Sequence, residues 1–335
     1  METALAALVL AMQFMNKAED PLVDIWMVTY NHENYIAEAI ESVLMQQTNF
    51  NYRLVIGEDY STDKTREICI EYQKKNPDKI HLILNKKNLG ATQNSYNTHY
   101  ACNAKYQAML EGDDYWTDPL KLQKQVDFLE ANKEFSLCFH IAEYVNTIEN
   151  KIFYFPEKLQ KTELTIEDVL LFPTTGWFLM TSTIVYRKSA ILNLPAWFLD
   201  FRNGDCLTVM LASLHGKIYF LKEDMSIYRL NTGGIMQSDM FSNINVITSL
   251  YLLFRKFNSY SNHKFQKLIY KQLLIFLYEI LLYYKNEKKW IHCYIYTIKF
   301  NYFTLRLKKE PKGIKEHCIA ILSYARFLLK EVNTQ

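Results

Sequence analysis

The six cysteines (69, 102, 138, 206, 293, 318) form no CxxC pair and no metal-finger spacing. They read as buried free thiols of a reducing cytoplasm rather than as a disulfide framework or a zinc site. His32, His99, His140 and His215 likewise lack the paired spacing of zinc ligands and read as structural or surface residues. No uncharged run reaches the roughly 18 residues of a membrane-spanning helix. The apolar stretch Leu273–Tyr284 is broken by Glu279 and flanked by Lys271 and Lys285. Ala4–Met15 is too short to span a bilayer, and no basic residue precedes it as in a signal peptide. No recognised nucleic-acid-binding motif occurs, so nucleic acid is not an expected partner. Charged residues make up only 22% against 49% hydrophobic, which is the balance of a folded globular chain.

Charge is unevenly spread. From Phe241 to Gln335 there are 16 Lys/Arg against 5 Asp/Glu, a balance of +11, so the preceding 240 residues carry −9 of the net +2. An acidic front suits divalent-metal binding. A basic tail suits an anionic partner such as a membrane surface or a polyanionic polymer, or is simply a solvated Lys-rich helical face.

Val23–Thr29 is a short, apolar, β-favouring run expected to be a buried strand. The turn cluster at 31–34 leads into a helix over Tyr35–Gln46, with Ile36, Ala39, Ile40, Val43 and Leu44 at helical spacing. A strand over Arg53–Gly57, a helix over Lys64–Lys75 stopped by Asn76-Pro77, a strand over Ile80–Leu84 and a helix through about Asn103 follow. A fourth strand, Tyr106–Leu110, runs into Glu111-Gly112-Asp113-Asp114, and Asp118-Pro119 is expected to cap and start a helix over Leu120–Ala131. This alternation predicts an α/β fold with a mostly parallel central sheet flanked by helices. Ligands of such sheets sit at the carboxyl ends of the strands. Three polar clusters fall there: Thr29–Asn31, Glu58–Asp63 and Glu111–Asp114. Beyond Phe135–Ile141 we expect a short helix at Thr165–Leu171, a strand at Thr181–Arg187 and a helix at Gly204–Leu214. Strands at Lys217–Leu221 and Met225–Leu230 follow, then a helical tail from about Phe241, with a boundary near Gln237–Ser242.

Glu111, Asp113 and Asp114 repel one another unless a cation or solvent neutralises them. Mg2+ or Mn2+ takes oxygen ligands, commonly one or two carboxylates together with substrate phosphate oxygens. The bland alternative, an acidic helix cap, is weakened because Asp118 already fills that role.

Taken in order, Val28-Thr29-Tyr30-Asn31, Glu58-Asp59-Tyr60-Ser61-Thr62-Asp63 and Glu111-Gly112-Asp113-Asp114 resemble the motifs of inverting family 2 glycosyltransferases of the GT-A fold. The phrase Gly112–Pro119 (GDDYWTDP) is especially characteristic, and the resemblance spans roughly Asp20 to Gly234. It implies a GT-A catalytic domain over 21–238, divided into a nucleotide-sugar half (21–118) and an acceptor half (119–238). An N-terminal extension (1–20) of little structure and a basic helical region (239–335) would flank it.

It further implies that Thr29, Tyr30, Asn31, Glu58, Asp59, Asp113 and Arg229 contact the nucleotide-sugar, UDP-linked for preference. Tyr30 would stack on the base, with core packing as its alternative, and Asp59 would accept from the base N–H. Asp114 with Asp113 would ligate Mn2+ or Mg2+, and Asp205 would be the general base, although an Asp at a helix start is also a good cap. Asp63 is read as a helix cap. Three positions depart from the pattern: Glu58 stands where an Asp is common, Gln93 where relatives often have Arg, and Asn231 where His is usual. The implied reaction moves a hexose from a nucleotide-diphosphate sugar to a glycan or lipid-linked acceptor with inversion, in cell-surface polysaccharide assembly. The implied location is cytoplasmic, peripheral on the inner membrane face. A non-catalytic sugar-nucleotide or polysaccharide-binding protein of the same fold is the alternative. A nucleotidyltransferase is disfavoured, because the turn after the first strand, Tyr30-Asn31-His32-Glu33, has no glycine to cradle a triphosphate.

Overall fold

The computed structural model describes residues 20–146, 151–156, 159–201, 204–230 and 243–308. The expected extension (1–20, but for Asp20), the boundary at 237–242 and Asn231 lie outside these residues.

A ten-stranded sheet forms the centre, with main order β3-β2-β1-β4-β9-β6-β10-β5. Strands β1 (Val23–Thr29), β2 (Tyr52–Glu58), β3 (Ile80–Leu84) and β4 (Tyr106–Glu111) run parallel. Helices α1 (Ile36–Leu44), α2 (Thr65–Lys75) and α3 (Ala91–Ala101) connect them. β1 and β4 are apolar almost end to end because both faces are covered. The exception in β1 is Asp24, fully buried, which takes a two-pronged pair from Arg53 (2.9 and 3.0 Å) and accepts from the Ala104 N–H (2.9 Å). One carboxylate thus ties β1 to β2 and to the approach of β4.

The second half begins with the short β5 (Tyr115–Trp116), α4 (Lys121–Ala131) and β6 (Phe135–Asn146). Pro119 does not open the helix as expected. Asp118 accepts from the Leu120 N–H (2.8 Å) in a turn of its own, and α4 starts at Lys121. β7 (Lys151–Phe155) is an edge strand on β6, and β8 (Glu163–Leu164) pairs with β10. The short helices α5 (Ile166–Leu170) and α6 (Phe172–Thr175) follow. The strand expected from Thr181 is a 3-10 turn over Thr181–Thr183 followed by β9 (Val185–Arg187), because the Thr183 hydroxyl bonds back to the Met180 carbonyl. α7 (Gly204–Ser213) leads to β10, which is one strand, Lys217–Leu230, rather than two. Register shifts near Leu221, Asp224 and Ser226 bend it without ending it. β9 is antiparallel to β4 and β6, so the parallel sheet is mixed at its centre.

The tail forms α8 (Ile244–Tyr260), α9 (Gln266–Asn286) and α10 (Trp290–Lys308). α10 folds back along α9, since Tyr284 packs on Tyr296 while Tyr270 packs on Phe303. Phe254 packs against Phe172 at 5.6 Å, and the tail helices share one hydrophobic core with β6, β10 and α5–α7.

Candidate active site

The parallel register sets Thr29 beside Glu58 and Val28 beside Glu111, which gathers the three polar clusters at one sheet edge. Gly112 is required at that edge. A Cβ there would lie 2.6 Å from Thr29 Oγ1 and 3.0 Å from His32 Nδ1, so the carboxylate loop presses directly on the loop after β1. His32 bridges the two, with Nδ1 3.2 Å from Thr29 Oγ1 and Nε2 3.8 Å from Asp113 Oδ2.

Asp114 is buried and its two oxygens are unequal. Oδ1 accepts from the Arg229 N–H at 2.9 Å, whereas Oδ2 has no hydrogen-bond partner among the described residues. Burial, then Asp113 and Glu111, push its carboxyl well above the usual range. Glu111 is pushed up to about 8, by burial first and then by Asp113 and Asp205. That coupling brings Asp205, half-buried in the first turn of α7, into the same acidic field, and burial raises it too. Tyr228 lies within reach of Glu111, Asp113 and Asp114, and its hydroxyl is raised by burial and by their charge.

Arg229 arrives on the bent end of β10. Its guanidinium donates to the Asp113 carbonyl (2.9 Å), pairs with Glu38 of α1 and lies between the rings of Tyr115 (4.3 Å) and Tyr35 (5.3 Å). It therefore braces the carboxylate loop with groups already on the protein. Sequence gave no sign of Glu38 or of the tyrosine clamp, because these partners lie far apart in the chain.

The β1 and β2 loops are stitched together. Asn31, at a positive φ of 56°, accepts through Oδ1 from the Thr62 N–H (2.9 Å) and hydroxyl (3.2 Å), while its own N–H donates to the Ser61 hydroxyl. Asp63 accepts from the Thr65 N–H (2.9 Å) and the Glu33 N–H (3.0 Å) in a turn just ahead of α2, whose N-cap position is Lys64 rather than the expected Asp63. Glu58, fully buried, accepts from Ser61 N–H (2.7 Å) and pairs with Arg66. Asp59, also buried, accepts from Asn85, the Leu89 N–H and the Gly90 N–H, at 2.8–2.9 Å. By lone-pair count, and among the described residues, this leaves about one acceptor position open on the carboxylate. Tyr30 stands 40% exposed at the rim, so it is not a core residue. Ser182 and Thr183 are buried, with Ser182 bonded to Ser226 and Trp116, and do not present hydroxyls to an acceptor. Gln93 is bonded to Asn97 within α3.

Residues 24–192 match the family model for glycosyl transferase family 2. The chain belongs to that family. The Mycobacterium tuberculosis protein Rv1520, itself uncharacterized, is 34% identical over 218 residues, covering 63% of this chain and 59% of that protein. The chain therefore matches less than two thirds of the length of this relative. The Bacillus subtilis protein TuaG, named for glycosyl transfer in teichuronic acid biosynthesis, is 32% identical over 219 residues, covering 64% of this chain and 81% of TuaG. Residues 1–349 of S. aureus TarS, solved with UDP-GlcNAc, superpose with a TM-score of 0.56 at 17% identity, over 84% of this chain and 91% of that one. This last likeness is one of fold, and it matches the GT-A architecture expected.

In this family 2 site the donor set suits a hard divalent cation. Asp114 Oδ2 is a buried oxygen without a donor among the described residues, and the charges of Asp113 and Glu111 add to burial in raising its carboxyl. No group of three His, Cys, Asp or Glu side chains among the described residues forms a metal cage. A cation that shares its ligands between two carboxylates and a diphosphate needs none.

Proposed function

We propose that the chain is a metal-dependent, inverting hexosyltransferase that moves a sugar from a nucleotide-diphosphate donor, UDP-linked for preference, to a glycan or lipid-linked acceptor. The observation that carries this reading is the buried Asp114 Oδ2 at the carboxyl edge of the sheet, without a hydrogen-bond partner among the described residues, with Asp205 in the same acidic field. Family membership and the UDP-GlcNAc bound to TarS support a nucleotide-sugar donor, and the teichuronic acid biosynthesis in the name of TuaG supports a place in cell-surface polysaccharide assembly.

In this reading Tyr30 offers an exposed ring to the nucleotide base. Thr29, Asn31 and Glu58 hold the loops that frame the base, and Asp59 fixes the Leu89–Gly90 turn beside it. Asp113 and Asp114 would hold Mn2+ or Mg2+, whose chemistry is to neutralise the departing diphosphate. Arg229 keeps both carboxylates in register by bonding to the loop backbone. Asp205 takes the proton from the acceptor hydroxyl on the face opposite the leaving group, which yields inversion. Burial lifts Asp205 above an ordinary aspartate and makes it a better base. The presence of Asp113, Asp114 and Asp205 together favours catalysis over a binding-only role.

No described helix is long and apolar enough to cross a membrane. α10 nevertheless turns Ile291, Tyr294, Ile295, Ile298, Tyr302 and Leu305 outward along one stripe, with Lys299 and Arg306 beside it. This supports peripheral attachment to an anionic cytoplasmic membrane face, where lipid-linked acceptors reside.

The test is Asp205→Asn. Sugar transfer from UDP-sugar is expected to fall by about 10²–10⁴-fold while UDP affinity stays near wild type. Unimpaired turnover removes Asp205 as base.

A further inference from the structure

An open cleft of about 420 Å3 lies between α8 and the corner where α9 meets α10. It is separate from the carboxylate site and is built by the tail helices, outside the stretch matched by the family model. Asn245, Thr248, Ser249 and Leu252 line it from α8; at intervals of 3, 4 and 7 residues they share one helix face. Toward the cleft that face mixes the polar Asn245, Thr248 and Ser249 with the apolar Ile244 and Leu252, whereas Leu250, Leu253 and Phe254 are buried on the other side. Tyr284 stands opposite, its ring held flat by stacking on His292 (4.6 Å, 23°) and Tyr296 (5.6 Å, 22°). Phe201 and Asp200 contribute from the segment before α7, and Lys289, paired with Glu287 at 3.7 Å, lines the cleft at the α9–α10 corner.

We propose that this cleft binds the hydroxyl-rich chain of the carbohydrate acceptor, on the reading that the chain is a glycosyltransferase. Three chemical features fit a sugar. Aromatic side chains in the lining, Phe201, Tyr283 and Tyr284, suit the C–H groups of a pyranose. Amide, hydroxyl and carboxylate side chains offer both donors and acceptors to vicinal hydroxyls. A volume of this size lies in the ordinary range for small-ligand sites, about 300–1,000 Å3. The position also fits. Phe201 precedes Asp205 by four residues, so the cleft edge and the proposed base are at most about 14 Å apart. An oligosaccharide that presents its terminal hydroxyl to Asp205 reaches the cleft with an inner residue. Thr92, at the start of α3, bonds the Phe201 carbonyl at 3.3 Å and fixes that edge against the nucleotide half.

The experiment is saturation-transfer NMR on the full chain with UDP and Mn2+, with chitobiose, cellobiose and maltose as probes. Wild type, Ser249→Trp, which fills the cleft, and the milder Asn245→Ala are compared, and UDP affinity and melting temperature are read on each. Transfer to at least one disaccharide is expected, reduced at least about fivefold in Ser249→Trp and about twofold in Asn245→Ala, with UDP affinity unchanged. A disaccharide signal that Ser249→Trp and Asn245→Ala leave intact overturns the cleft as acceptor site. So does the absence of any signal in wild type that binds UDP. Failure to bind UDP at all removes the glycosyltransferase reading itself, and the cleft assignment with it.

Discussion

Two residues at the sheet edge are held by opposite kinds of constraint. Gly112 is there because nothing larger fits against Thr29 and His32. Asp114 is there although burial works against its charge. A buried carboxylate with one oxygen unbonded among the described residues costs free energy in the isolated protein and gains it back from a bound cation. For Gly112→Ala, the added methyl must displace Thr29 or His32. We expect a loss of about 1–3 kcal/mol of stability in denaturant unfolding, with weakened UDP binding. A variant as stable as wild type contradicts the close approach. Arg229 stands between these two in the carboxylate loop, and its commitment to Glu38 and Asp113 makes it a brace rather than a free cation.

At the scale of elements, most of the nucleotide half was legible in the sequence. Its strands are short apolar runs, α1 carries a period-3.6 stripe, and α2 and α3 are marked by the breaks at Asn76-Pro77 and Asn88–Gly90; all these signals are local. Their ends moved by a residue or two: β4 runs on to include Glu111, and α4 waits until Lys121 because Asp118 caps a turn instead. The edge strands β5, β7 and β8 were missed, since two to five residues carry no period. β10 was divided where its bulges interrupt the alternation. The candidate site was legible as a set of residue types at strand ends. The partners of those residues were not, because His32 to Asp113, Arg229 to Glu38 and Asp59 to Gly90 are contacts set by packing.

Two histidines that were read as structural explain a pH dependence at this scale. His99 is lowered to about 4, chiefly by burial and then by Lys188. His140 is lowered well below 6.5 by burial and by Lys121. Both are neutral in the folded state at pH 6, while the unfolded chain begins to bind protons near 6.5. The unfolded state thus holds more protons as pH falls, and stability is lost from about 6.5 downward, until His99 itself protonates near 4. The contribution of His99 is on the order of 3 kcal/mol. Denaturation midpoints measured from pH 7 to 4.5 are expected to fall, and more shallowly in His99→Gln. A flat wild-type curve contradicts the burial of these rings.

For the whole molecule, the tail does two things to the catalytic half. It adds a core, with Phe254, Phe257, Phe276 and Phe300 buried, Phe254 packing on both Phe276 and Phe172 of α6. It also presents α10, which is apolar on both sides: Phe300 and Leu307 are buried, while Ile291 is 76% and Leu305 61% exposed on the opposite face. An apolar stripe exposed on the face opposite the buried one, flanked by Lys299 and Arg306, suits an interfacial surface. We expect co-sedimentation with phosphatidylglycerol vesicles but not with phosphatidylcholine, lost in the double variant Ile298→Asp, Leu305→Asp. Equal recovery with both lipids, or none with either, contradicts membrane attachment through this face.

The central claim is that the carboxylates at the sheet edge hold a nucleotide diphosphate through a divalent cation. Calorimetry of UDP and GDP binding, with and without Mn2+, on wild type and Asp114→Ala tests it most directly. The expected result is UDP binding that requires Mn2+ and weakens at least about tenfold in the variant. Nucleotide affinity that is indifferent to Mn2+, or that Asp114→Ala leaves unchanged, contradicts the account.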